Sequence, residues 1–297
     1  MAVRRCGVAA LALAAALAYS AGPAEAAQEP RRFELFLKGA FTPHGAKSAY
    51  EHSYDPHPGY EIPGSYARQT LAVDPLSGGG LRAGLTLPLG KTLGLRLTLG
   101  RETSRFGGEN EPFEIFYKYT AWLPPMLEKT NGSRLTNVEW PATSGRLQRT
   151  SASLELVLRL PLSDAWSLRL SAGPHFSTVS GEIYPLGYEE VIYERYGSQI
   201  FGYSFVLLRL PAQTVLGVTA EAELALRIDR RVSFILGAAL RTGSYEGTPE
   251  IAAAYDYHSL IEQPMEIMDR LKARVSPGPI SLSPSSFLFS VGVAIGI

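Results

Sequence analysis

The chain of 297 residues contains a single cysteine, Cys6, so no intramolecular disulfide staples it and no thiolate zinc site can form. It also lacks a surplus of charge, with 28 basic and 28 acidic residues. No basic stripe of the kind nucleic acid requires is present, which excludes a nucleic-acid partner. After residue 26 there is no apolar run of the roughly 20 residues that a spanning helix needs. No pattern calls for a cofactor.

The first residues carry the most local information. Arg4 and Arg5 precede an apolar run from Val8 to Ala18, and Ala24-Glu25-Ala26 places small residues where a signal peptidase reads. The run of about 11 residues is too short for an anchor. Residues 1–26 are therefore expected to be a cleaved signal peptide and 27–297 the exported domain. Cys6 leaves with the leader, and the exported part keeps 26 basic and 27 acidic residues.

That exported part alternates. Eight segments place an apolar residue at every second position, the signature of strands with one apolar face. The first is 33–41, with Phe33, Leu35, Leu37 and Phe41 in phase. Segments 79–100, 151–173 and 215–241 each read as two strands joined by a short turn, at 88–92, 161–165 and 229–231. The eighth is 286–297, where Phe287, Phe289, Val291, Val293, Ile295 and Ile297 alternate to the last residue.

Four long connections, 42–78, 101–150, 177–213 and 242–285, alternate with the three short turns. A soluble domain seldom tolerates several structureless loops of that length. A transmembrane barrel with short periplasmic turns and long extracellular loops has this asymmetry. Ten residues at about 3.3 Å each, tilted roughly 45°, cover about 23 Å of the apolar band of about 25 Å. The expected fold is an all-β, eight-stranded antiparallel transmembrane barrel whose last strand pairs with its first; ten strands is the alternative.

Within the segments the charged residues all fall in the phase opposite to the leucines. These are Glu34, Lys38, Arg82, Arg96, Glu155, Arg159, Arg169, Glu221, Glu223, Arg227 and Arg241. A charge on the lipid face at mid-depth costs about 2 to 4 kcal/mol. In the lumen of so narrow a barrel it can find a partner, and side chains fill the space, which argues against an open pore. The first ten of these residues are expected to form a lumen charge network, with Arg96 and Arg169 neutralising Glu155 and Glu223. Gly84, Gly94, Gly173, Gly217, Gly237 and Gly292 share that phase and leave it room. A gated ion path is the alternative use of these charges.

The signal peptide, the alternating strands, the repeated "TLPL" and "RLPL" before short turns and the alternating last strand resemble small outer-membrane barrels of the OmpA and OmpX type, the "outer membrane protein beta-barrel domain" families. The resemblance implies residence in the bacterial outer membrane among its lipids and lipopolysaccharide. It also implies recognition of the strand Phe287 to Ile297 by the barrel assembly machinery. Such signals usually end in an aromatic residue, whereas this chain ends in Ile297 with Phe289 the nearest aromatic in phase.

Function is expected in the long loops. The first gathers His44, Tyr50, His52, Tyr54, His57, Tyr60 and Tyr66, a tyrosine-rich candidate binding surface. Its imidazoles, with Glu51 and Asp55, have no spacing that fixes a metal geometry, so no metal site is assigned. Residues 113–122 and 198–210 read as extensions of the wall or hairpins above the membrane. In 264–275, Ile267, Met268, Leu271 and Val275 share one helical face. His175 and Ser177, with Glu182, match the short His-x-Ser pattern of outer-membrane lipid A deacylases. Their lumen phase separates them from lipid, so no catalytic residues are assigned. The sequence thus points to a monomeric, non-enzymatic barrel with a structural, adhesive or surface-binding role. A narrow channel for ions or small solutes is the alternative, and a lipid A-modifying hydrolase a more distant one.

Overall fold

The computed structural model describes residues 33–42, 48–54, 66–73, 77–110, 113–123, 126–136, 143–195, 198–256, 269, 272, 277–282 and 286–297. The leader and its cleavage site lie outside them, as do Ile267, Met268, Leu271 and Val275 of the amphipathic segment; Asp269 and Lys272 within it are helical.

In chain order the described strands are β1 (Glu34–Thr42), β2 (Ser48–Tyr54), β3 (Tyr66–Val73), β4 (Ser77–Pro88), β5 (Leu93–Asn110), β6 (Phe113–Leu123), β7 (Met126–Thr136) and β8 (Thr143–Pro161). They continue with β9 (Trp166–Arg195), β10 (Ser198–Arg227), β11 (Val232–Arg241), β12 (Tyr245–Gly247), β13 (Glu250–Asp256), β14 (Ile280–Leu282) and β15 (Ser286–Gly296). Eight of them close a ring in the order β1, β4, β5, β8, β9, β10, β11, β15 and back to β1, every pair antiparallel. These are the eight segments whose alternation the sequence displays.

The ring explains the apolar C-terminus. β15 pairs with β1 from Glu34↔Gly296 to Phe41↔Phe289, and the Ile297 N–H donates to the Phe33 carbonyl at 2.8 Å. Neither strand is left with an open edge, which in lipid would strand unpaired backbone groups.

The three short turns share one construction. In each, two successive amides donate to the same carbonyl at the start of the next strand: Leu89 and Gly90 to Leu93, Leu162 and Ser163 to Trp166, Ile228 and Asp229 to Val232. Proline ends the strand before two of them, at Pro88 and Pro161, where the ladder stops and no N–H is needed.

The burial of the ring is inverted relative to a soluble protein. Leu35, Leu37, Leu97, Leu99, Leu154, Leu156, Val291 and Val293 face outward; Leu97 is 48% exposed, whereas Glu155 is 0% exposed. Only a hydrocarbon surround makes that arrangement favourable.

The ring has eight strands, not the alternative ten, and the other seven described strands lie outside it. β6 and β7 form a hairpin held by β3, which pairs Tyr66↔Phe116 to Arg68↔Glu114. Residues 198–210 are the upper half of β10. The long connections 101–150 and 177–213 are themselves largely strand, because β5, β8, β9 and β10 run on well past the length needed to span. β9 and β10 have 30 residues each, about 100 Å of strand at roughly 3.3 Å per residue. Above the ring this wall encloses a second, apolar core: Phe106, Leu147, Val179, Ile183, Val206, Leu208, Leu210, Tyr245, Ile280 and Leu282 are buried together.

Replacing Leu97, at mid-depth on the outer face, by arginine is expected to lower stability by about 2 to 4 kcal/mol. Leu89→Arg, in a turn at the membrane rim, should cost about 0 to 1 kcal/mol. Urea titration of the barrel folded into lipid vesicles measures both, and equal costs would remove the inverted surface.

Candidate functional site

The interior of the ring is a stack of three charged layers. Inward positions on each strand recur every second residue, so a few strands deliver charges at matching heights. At the turn end, Glu34 of β1 accepts from Arg169 of β9 and from Arg159 of β8, the latter at 2.7 Å. Arg227 is exposed at the same end of β10.

The middle layer brings Lys38, Arg82 and Arg96 together with Glu155, Glu221 and Glu223. Lys38 Nζ donates to Glu221 at 2.9 Å and to Glu223 at 2.5 Å. Arg96 grips Glu223 with both guanidinium nitrogens at 2.8 and 2.7 Å, a bidentate pair of the stronger kind. Arg82 donates to Glu221 at 3.2 Å and lies 3.8 Å from Glu155. Three cations thus meet three carboxylates, all six side chains buried from bulk solvent.

Glu155 is satisfied differently from the sequence expectation. Ser153 and Ser171 each donate to it at 2.6 Å and Thr98 at 3.4 Å. Arg169 is not its partner, because the register puts Arg169 next to Glu223 and Arg159 near the turn, within reach of Glu34. Arg96 does neutralise Glu223.

Phe36 is the apolar member of this cluster. Its phase is that of Glu34 and Lys38, and its ring lies 4.8 Å from Lys38 Nζ and 5.0 Å from the Arg96 guanidinium carbon, so both cations stack on a π face. Glycines make the space: a Cβ on Gly84 would come within 2.5 Å of the Phe36 ring, and one on Gly237 within 2.5 Å of Ser290 Oγ and 3.1 Å of Glu221.

The top layer holds Glu102, which Arg241 binds with two nitrogens at 2.9 and 3.0 Å and which faces Arg149 in register. Glu102, Arg149 and Phe36 complete the network beyond the residues singled out from sequence. Glu102 and Arg149 lie just past the segments 79–100 and 151–173, in the same inward phase.

His175 and Ser177 point into the lumen at this level and are buried. Ser177 Oγ has no hydrogen-bond partner among the described residues, so His175 does not activate it. Glu182 faces outward.

Of the first-loop surface, His44, His57 and Tyr60 lie outside the described residues, and Tyr50, His52 and Tyr54 occupy alternate positions of β2. Tyr66 begins β3, stacks on Phe116 with centroids 5.6 Å apart and donates to Glu114 at 3.0 Å. Arg68 donates to the same carboxylate at 2.7 Å. These bonds hold the Glu114 carboxyl below the usual carboxylate range, Arg68 first and Tyr66 second.

No family model matches the sequence, and no curated protein does. Among solved structures the chain is similar to outer-membrane proteins. OprG from Pseudomonas aeruginosa is 12% identical over 90% of this chain and 96% of its own, with a TM-score of 0.45. The outer membrane protease OmpT from Escherichia coli is 10% identical over 92% and 99%, with a TM-score of 0.43. The attachment invasion locus protein Ail of Yersinia pestis is 8% identical over 90% and 100%, with a TM-score of 0.32. The class of this chain rests on its own register and surface: a closed, eight-stranded transmembrane β-barrel.

Two outcomes test the site. Glu223→Gln leaves Lys38 and Arg96 facing a neutral amide and should lose about 3 to 5 kcal/mol. Glu223→Met combined with Arg96→Met should cost clearly less than the sum of the single changes, since the pair belongs to one network. Separately, a lowered carboxyl pKa gives Glu114 a contribution that is complete above its ordinary pKa and lost as pH falls through the folded one. The amides of 66–68 should therefore lose protection, measured against the intrinsic exchange rate at each pH, as the pH drops below the usual carboxylate range, while those of the ring stay protected.

Proposed function

We propose that the protein is an exported, monomeric outer-membrane barrel, sealed to solutes, that presents a rigid surface-binding module on its extended wall. The observation that carries this reading is the double closure of the interior. Glu221, Glu223 and Glu155 are locked to Lys38, Arg82 and Arg96 inside the ring, and the apolar core around Ile183, Leu208 and Leu210 fills the wall above. An ion path would have to break buried pairs and then cross an apolar core.

The folded wall supports the binding role. It buries its own core, pairs β13 against β10 and carries the β6–β7 hairpin, so its outer face is fixed in shape before any partner arrives. The reading is non-enzymatic, supported by Ser177 Oγ having no hydrogen-bond partner among the described residues and by the inward phase that keeps His175 and Ser177 from lipid. The extended wall faces the cell exterior and the short turns the periplasm, with β15 serving the assembly machinery.

Conductance in planar bilayers tests the seal. The parent barrel is expected to stay silent, and Glu221→Ala with Glu223→Ala to flicker only briefly, because the upper core remains. A steady single-channel current from the parent would establish the channel instead. Labels at residues 124–125, between β6 and β7 in sequence, should react on intact cells while labels at Lys91 do not; the reverse pattern would invert the orientation.

A further inference from the structure

The outer face of the wall carries a row of charges that follows the register across five strands. Arg105 of β5 pairs with Arg146 of β8, Arg146 with Glu182 of β9, Glu182 with Arg209 of β10 and Arg209 with Glu250 of β13. All five are exposed. From Arg146 onward the signs alternate, as cross-strand neighbours on a solvated face should. Arg105 breaks the alternation: it stands directly opposite Arg146, and like charges in that position repel. Among the described residues, no carboxylate forms an ion pair with Arg105, Arg146 or the outward-facing Arg101 below them.

Height tells what fits there. Among the residues whose exposure is described, Leu99 is the last large apolar residue facing outward on β5, and Phe176 is the last on β9 before the amphipathic Tyr184. With strands tilted roughly 45°, each residue adds about 2.3 Å of height, so Arg101 lies about 5 Å and Arg105 about 14 Å above Leu99. The headgroup zone of an ordinary bilayer is about 5 to 8 Å deep on each side. Arg101 sits at its level, and the Arg105–Arg146 pair sits above it. A lipid that reaches both must carry anionic groups on a tall headgroup.

We infer that Arg105 and Arg146, with Arg101 beneath, bind phosphate groups on the headgroup of a phosphorylated glycolipid in the outer leaflet. Two guanidinium forks side by side offer the planar, paired donors that phosphate oxygens accept. A bound phosphate also removes the repulsion between them. The inference rests on the proposed outward orientation of the wall for the leaflet, but its binding chemistry does not.

The test uses the full chain folded in detergent micelles, titrated with lipopolysaccharide bearing phosphorylated core sugars, with the same material after phosphatase treatment, and with inorganic phosphate. Lipopolysaccharide should bind, phosphatase treatment should weaken binding, and rising salt should weaken it further. R105Q with R146Q should bind the intact glycolipid at least about tenfold more weakly. R105E completes the alternation, so it should lose binding while its urea midpoint stays level or rises.

Unchanged binding by R105Q/R146Q would overturn the inference. A fall in the urea midpoint of R105E would also overturn it, by making Arg105 a structural residue. Inorganic phosphate that competes at concentrations as low as lipopolysaccharide would make this a free-phosphate site and overturn the lipid assignment. Micelles have no sidedness, so an inverted orientation would appear only in the labelling of residues 124–125 and would leave the binding result intact.

Discussion

A charge cannot be left alone in a lumen eight strands wide, and the cluster on Glu221 and Glu223 is how this chain meets that constraint. The two carboxylates sit two residues apart on the inward face of β10, where they would repel each other out of reach of water. Their cations come from β1, β4 and β5, across the barrel, between 127 and 185 residues away in sequence. No hairpin on its own can supply them. Neutralisation therefore happens only when the ring is closed in the observed register, and a one-residue slip of any of these strands would turn its charges toward lipid. Replacing such a cluster with apolar side chains is often neutral or stabilising. The physical advantage of keeping it lies in specifying one closure out of many.

The ring was legible in the sequence because lipid enforces a strict period of two over every spanning strand. Leu93, Leu95, Leu97 and Leu99 have no tolerated alternative to the outward phase, so the pattern survives without interruption. The partners of the lumen charges were less legible. Phase shows that Arg169 and Glu155 both face inward, but the stagger between strands decides which residues meet, and it sends Arg169 to Glu34. Glu155 instead depends on Ser153, Ser171 and Thr98, short polar residues that an alternation pattern does not distinguish from spacers.

The folded wall was hidden for a different reason: the apolar phase reverses along single strands. On β5, Leu97 and Leu99 face outward, yet Phe106 faces inward. On β8 the outward Leu154 and Leu156 give way to the inward Leu147, and on β9 the outward Phe176 gives way to Val179 and Ile183. Upstairs the outside is water and the inside is the protein's own core, so the same ladder needs the opposite pattern. On β10 the register also shifts between Leu207 and Leu208 against β13 and between Leu210 and Gln213 against β9. Read along the sequence, a phase reversal plus bulges looks like the loss of strand structure.

That reversal marks where hydrocarbon ends, and it does so at one level on neighbouring strands. Between Leu99 and Phe106, between Leu154 and Leu147, and between Phe176 and Val179, the outward positions become Arg101, Thr150 and Thr178, which face each other in register. Above that line the outer surface is free of the demand to be apolar, and beyond the Glu102–Arg241 layer the buried interior passes from paired charges to an apolar core. The two storeys are thus stabilised by different solvents and share only a continuous backbone ladder. A substitution on the outer face of the upper storey has no route to the ion cluster below except through that ladder. The surface just above the line can therefore be tuned to a partner, even with like charges side by side at Arg105 and Arg146, without loosening the seal on which the membrane-spanning half depends.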